Sequence, residues 1–192
     1  MQKHEVKEVA RSVGLPTAAR KESMGICFVG KRNLAAFLSN YIHLDAGRVK
    51  DLDTGRELGQ VEGAAAVYTI GQRVRLGGQA TKLFVAKKHT PSNTLFTVPS
   101  PTHPALFSSS FCLENHTIPS PLPQTASAPF SARIRHSQHH TIPATVTPHL
   151  GHIRIDLETP QRAIAPGQTA ALYDASGIVL GGGEVALVDD YC

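Results

Sequence analysis

The chain has 192 residues, a formal net charge of +4 and an isoelectric point near 9.1, which is long enough for a buried core in one or two domains. Its modest basic excess raises affinity for nucleic acid, but on charge alone an ordinary solvated surface is the better account. No apolar run reaches membrane-spanning length, and the three cysteines stand at spacings that make neither a disulfide framework nor a zinc site, so a reducing compartment fits them best.

Met1 to Glu5 lack both the apolar core of a signal peptide and the arginine and serine richness of a transit peptide. Val6, Val9, Ala10 and Val13 then recur at helical spacing, with Gly14 suited to the residue after the cap and Pro16 barring continuation. A lone helix of this length is marginal in water, so its apolar stripe is expected to lie exposed unless another surface covers it. Cys27 follows between Gly25 and Gly30, flanked by the cations Arg20, Lys21, Lys31 and Arg32. Nearby cations favour the nucleophilic thiolate, while Ile26, Phe28 and Val29 fit an inert buried cysteine as well. A second helix is predicted after an Asn33 cap, with Leu34, Phe37, Leu38 and Tyr41 as its core-packed face.

From Gly47 the pattern changes to short strands and tight turns. Asp53-Thr54-Gly55 and Pro91-Ser92-Asn93 read as turns, with strands at Val67-Tyr68-Thr69-Ile70, Leu83-Phe84-Val85-Ala86 and Thr94-Leu95-Phe96-Thr97-Val98. Pro99-Ser100-Pro101 joins this region to a last one, and residues 118–129 read as an exposed loop of low order. His152-Ile153-Arg154-Ile155-Asp156-Leu157 alternates polar and apolar residues as a half-buried strand does. A hairpin is predicted around Ala175-Ser176-Gly177. The predicted fold is mostly β with a short α segment at the N-terminus, a small β-rich central domain and then an antiparallel β-barrel.

Three polar stretches stand out. Tyr68-Thr69-Ile70-Gly71-Gln72-Arg73 places an amide and a guanidinium, Gln72 and Arg73, on a glycine turn, where they can hold phosphate or satisfy their own turn. Arg135 and His136 lie in a histidine-rich stretch whose alternative use, a metal site, lacks a recognised ligand spacing. Gln168 follows the turn residues Pro166 and Gly167. Gly181-Gly182-Gly183 lacks the helix and lysine of a phosphate loop and reads as close backbone packing. Aromatic residues are 6% of the chain and tryptophan is absent, so base stacking would rest on few rings or on arginine planes.

Lys21-Glu22-Ser23-Met24-Gly25-Ile26-Cys27-Phe28-Val29-Gly30-Lys31-Arg32-Asn33 resembles the K-D-S-x-G-I-C-F-I-G-x-R-N segment of tRNA-specific 2-thiouridylases. Further matching words follow in the family's order: Tyr68-Thr69-Ile70-Gly71-Gln72-Arg73, His103-Pro104-Ala105-Leu106, Ala165-Pro166-Gly167-Gln168 and Leu180-Gly181-Gly182-Gly183-Glu184. Val74-Arg75-Leu76-Gly77-Gly78 is closer to the mitochondrial members than to the bacterial ones. Met24 stands where the family usually has threonine, and Ser137 where an arginine follows the R-x-R-H word.

The resemblance implies 2-thiolation of the wobble uridine of tRNA. A persulfide on Cys27, charged by a sulfur donor, supplies the sulfur, and ATP with Mg activates the uridine C2 oxygen. A second cysteine on the nucleotide-binding domain resolves the intermediate and leaves a disulfide. It also implies tRNA contacts at Arg135, His136, Gln168, Gln72 and Arg73, a mitochondrial location, and neither DNA nor membrane as partner. The S-G-G-x-D-S loop that binds ATP does not occur in these residues. The chain is therefore expected to comprise the end of the catalytic domain (1–32), a central β-rich domain (33–98) and a C-terminal barrel (99–192), and to be inactive alone. A non-catalytic RNA-binding module is the alternative.

Overall fold

A computed structural model describes residues 1–20, 34–118, 130–136, 138–149 and 151–188. The chain forms two units, Met1–Tyr41 and Ile42–Cys192.

In the first unit, α1 (Lys3–Ser12) begins where the Gln2 N–H donates to Glu5 Oε2 at 2.5 Å, satisfying a backbone donor that the helix leaves open. It ends as the sequence predicts. Gly14 takes φ +69°, its N–H donates to the Arg11 carbonyl at 3.1 Å, and the Leu15 N–H reaches back to Ala10 at 2.9 Å. This double return is a Schellman ending, which needs a residue free to adopt the left-handed conformation. The apolar stripe is exposed, Val6 and Val9 at 50% and Val13 at 65%. Helix α2 (Leu34–Leu38) has five residues and none is buried, against the prediction of a core-packed face. A helix of little more than one turn cannot span a core, and Phe37 meets Tyr41 instead, ring centroids 5.2 Å apart.

The second unit contains two β structures. Strands β1 (Ala46–Asp51), β2 (Glu57–Glu62), β3 (Arg73–Val74), β4 (Leu83–His89) and β5 (Thr94–Val98) make a sheet ordered β2-β1-β5-β4-β3, antiparallel except for β1 against β5. Its core is Val49, Ala64, Val74, Leu83, Val85 and Leu95. The strand predicted over Val67-Tyr68-Thr69-Ile70 is absent. Helix α3 (Ala64–Val67) occupies its start, Thr69 accepts a turn hydrogen bond from Gln72, and the chain turns into β3. Burial decides against the β-branched run: Ala64 is fully buried beneath the sheet, and only small side chains allow that approach.

Strands β6 (Phe107–Glu114), β7 (Phe130–Arg133), β8 (Ile142–His149), β9 (His152–Arg162), β10 (Thr169–Tyr173) and β11 (Val179–Val188) close a barrel in the order β10-β11-β6-β9-β8-β7, all pairs antiparallel. The alternation read in β9 is observed, with Ile153, Ile155 and Leu157 buried beside Phe111, Leu113 and Leu172. The β10–β11 hairpin turns at Gly177, and Asp174 Oδ1 accepts the Ser176 and Ile178 N–H groups. A Cβ on Gly182 would lie 2.4 Å from the Ala170 carbonyl oxygen, and one on Gly183 2.7 Å from that of Glu114. Close backbone approach therefore accounts for the glycine run. Ile118 is buried, while residues 119–129 of the predicted loop lie outside the described residues. Among the described residues no helix is long and apolar enough to cross a membrane.

The join between sheet and barrel passes through a 3-10 turn, Pro104–Leu106. His103 Nδ1 accepts the Ala105 N–H at 3.2 Å, so the ring proton sits on Nε2, 3.3 Å from Asp53 Oδ2 in the β1–β2 turn.

Candidate functional site

Cys27 lies outside the described residues. The other predicted site residues all fall in the second unit, on the sheet's 68–73 turn and on the barrel.

The 68–73 turn leaves α3 and enters β3. Gln72 Oε1 accepts the Thr69 N–H at 3.1 Å, and the Gln72 N–H donates to the Thr69 carbonyl at 3.0 Å. The side chain thus closes its own turn with its oxygen and leaves its NH2 group exposed to solvent. Arg73, the first residue of the edge strand β3, is exposed too.

On the barrel, Arg135 follows β7 and is half-buried, while His136 beside it is exposed. Arg135 Nη2 donates to the carbonyls of Arg162 and, at 3.0 Å, of Ala163. Loss of solvent, and then the neighbouring Arg162 charge, pull its pKa below the usual arginine value. It remains cationic nonetheless. Gln138 staples this loop, accepting the Ile134 N–H at 3.1 Å and donating to the His140 carbonyl at 2.6 Å. Gln168 is half-buried. Its carbonyl accepts the Val185 N–H at 2.8 Å, but its side-chain Oε1 is buried without a partner.

Two of these stretches meet at one corner. A Cβ on Gly71 would lie 2.4 Å from the Ala163 Cβ, so the 68–73 turn rests directly on the residue after β9. Beside that corner, Thr69, Ile70, Lys87, Leu106, Ala165 and Pro166 help line a cleft of about 620 Å3. Arg135 reaches the same corner through the Arg162 and Ala163 carbonyls. Sequence reasoning missed Arg162, Gln138 and the His103–Asp53 pair. For Arg162 no local signal existed, because its partners lie 61 and 91 residues away.

Among the described residues no group of His, Cys, Asp or Glu could hold a metal ion. The one glycine run there is packed against backbone within the barrel rather than opening a helix.

Three family models match consecutive stretches: a tRNA methyl transferase HUP domain over 1–31, a tRNA methyl transferase PRC-barrel domain over 35–99, and an aminomethyltransferase beta-barrel domain over 108–185. The chain is 35% identical over 192 residues to the tRNA-specific 2-thiouridylase MnmA of Staphylococcus carnosus, covering 99% of this chain and 50% of the relative. It is 37% identical over 193 residues to that of Listeria monocytogenes, covering 98% and 50%. With the mitochondrial tRNA-specific 2-thiouridylase 1 of Drosophila melanogaster it shares 38% over 180 residues, covering 90% and 46%. The chain spans about half the length of these curated relatives. Over that half, near-complete coverage of its residues by such relatives shows that it belongs to the tRNA-specific 2-thiouridylase family.

Proposed function

We propose that this chain is the tRNA-holding and sulfur-carrying part of a 2-thiouridylase. Cys27 would bear a persulfide, charged by a sulfur donor; its outer sulfur would bond to C2 of the wobble uridine of tRNA as the activated C2 oxygen leaves, and a second cysteine of the complete enzyme would then break the S–S bond, leaving a disulfide with Cys27. The observation that carries this reading is the Gly25-Ile26-Cys27-Phe28-Val29-Gly30 word inside a match covering 99% of the chain. Thiolate character from the flanking Arg20, Lys21, Lys31 and Arg32 would supply the nucleophile. Gln72 through its free amide, Arg73, His136, Gln168, and Arg135 through Nε and Nη1 are the groups proposed to meet the RNA.

The proposed division is the end of the catalytic domain over 1–32, the central domain over 33–98 and the barrel over 99–192. Activation of the uridine by ATP and Mg is assigned to the complete enzyme and not to these residues. The 192-residue chain is accordingly proposed to bind tRNA without thiolating it. A mitochondrial location is proposed from the Val74-Arg75-Leu76-Gly77-Gly78 segment and from the Drosophila relative.

The test is to join the chain to the nucleotide-binding half of the Staphylococcus carnosus relative and measure 2-thiouridine by mass spectrometry of digested tRNA. Thiolation is expected in the joined protein, loss of it in Cys27→Ser, and unchanged tRNA binding in both. Full thiolation by Cys27→Ser would leave the chain a non-catalytic RNA-binding module.

A further inference from the structure

Arg162, the last residue of β9, stands where the sheet, the join and the barrel come together. Its Nε donates to the Pro101 carbonyl of the join at 2.9 Å, and its Nη2 to the Gly71 carbonyl of the 68–73 turn at 2.9 Å. The guanidinium carbon lies 5.8 Å from the centre of the Phe84 ring on β4, within reach of a cation–π attraction. The backbone beside it is held just as closely. Ala163 takes φ +57°, unusual without glycine, and its N–H donates to the Leu106 carbonyl at 2.6 Å. Its own carbonyl is taken by Arg135. Such a conformation persists only where surrounding contacts over-determine it.

These contacts leave Arg162 poorly suited to reach a phosphate, since two edges of its planar fork already grip carbonyls on two different segments. They suit it to fixing one β structure on the other. We propose that Arg162 is the positioning residue that locks the barrel onto the five-stranded sheet at Gly71. The lock sets the spacing between the sheet's RNA-contacting groups, Gln72 and Arg73, and those of the barrel, Arg135, His136 and Gln168. This second clause rests on the RNA-binding reading above. Arg73 and Arg162 thereby acquire different roles although both are arginines beside the same turn.

The two roles separate by experiment on the full chain. Arg162→Ala should raise amide exchange at Ala163 and Gly71 at least tenfold, while amides of β1 and β6 stay protected. If the loosened joint holds the binding-competent geometry about a tenth of the time, tRNA affinity falls about tenfold. Its dependence on salt should keep the wild-type slope. Arg73→Ala, a phosphate contact, should instead lower that slope by about 0.9. Arg162→Lys, which keeps a cation near Phe84 but loses the fork, should fall between wild type and Arg162→Ala in both readouts, and it serves where the alanine variant does not fold. A slope reduced by about one in Arg162→Ala would make Arg162 a phosphate contact and overturn the proposal. Unchanged exchange at Ala163 and Gly71 would overturn it too. Should the wild-type chain fail to bind tRNA, the RNA-binding reading and the spacing clause fall, and the exchange data alone decide whether Arg162 is the lock.

Discussion

Replacing Asn93 by alanine tests how the sheet holds the turn that carries Gln72 and Arg73. Asn93 takes φ +46° at the β4–β5 turn. Its Oδ1 accepts the Ala65 N–H at 3.0 Å and its Nδ2 donates to the Asp45 carbonyl at 3.1 Å. Ala65 belongs to α3, which runs directly into the 68–73 turn, and Lys88 Nζ grips the Ala65 carbonyl at 3.1 Å from the neighbouring strand. Each lost hydrogen bond removes about 0.5–1.5 kcal/mol net, so the pair contributes about 1–3 kcal/mol. Alanine in the left-handed region costs about 1 kcal/mol more, for a sum of about 2–4 kcal/mol. In a chain of this size that lowers the thermal midpoint by roughly 5–15 °C. Asn93→Gly loses the same bonds without the conformational strain and should be about 1 kcal/mol more stable than Asn93→Ala. Asn93→Asp keeps the acceptor for Ala65 and should lie between wild type and Asn93→Gly. Urea and thermal unfolding followed by circular dichroism measure all three. An alanine variant within about 0.5 kcal/mol of wild type would refute the anchoring role, and equal stability of the glycine and alanine variants would refute the strain component.

Gly182→Ala should destabilise the barrel by about 3 kcal/mol, because its Cβ would meet the Ala170 carbonyl, part of a strand that cannot step aside. Gly77→Ala, with open space around the new methyl and no positive φ, should change stability by less than about 0.5 kcal/mol in the same unfolding assay. Asp51 accepts the Thr54 hydroxyl at 2.7 Å and the Thr54 N–H at 2.8 Å, and these bonds hold its pKa below 3.8. A folded pKa below the unfolded one contributes stability that is present above about pH 4 and lost as pH falls through the folded value. Wild type should therefore exceed Asp51→Asn in stability at neutral pH, by a small margin because solvent screens the site. The two should converge as pH falls through the folded value, in unfolding curves taken across the acid range.

Local rules made much of this fold legible. Gly14 and Pro16 mark the end of α1 because a left-handed residue and a missing donor act within two residues of one another. The alternation over residues 152–157 marks a half-buried strand for the same reason. The sequence was misleading where the deciding partner lies far along the chain. Val67-Tyr68-Thr69-Ile70 has strand propensity, yet Ala64 buries under the sheet and Asn93 reaches across 28 residues to fix the helical turn. The stripe of α2 reads as core, but five residues cannot carry a core face, and helix length is a property that apolar spacing alone does not report.

The arginines of the site show the same limit in its sharpest form. Arg73, Arg135 and Arg162 each invite a phosphate, because a planar cation with a fork of donors binds a pair of oxygens. Backbone carbonyls present oxygens to the same fork. Nothing in the side chain distinguishes the two uses, and the choice depends on what stands opposite. For Arg73 that is solvent. For Arg162 it is the carbonyls of Gly71 and Pro101, far away in sequence. Arg135 has one nitrogen on protein carbonyls and the rest of its guanidinium uncommitted. A family word therefore marks where an arginine is wanted without telling whether it would hold a phosphate or a backbone carbonyl. The salt slope of binding tells them apart, because only an arginine on a phosphate releases a counterion when it binds.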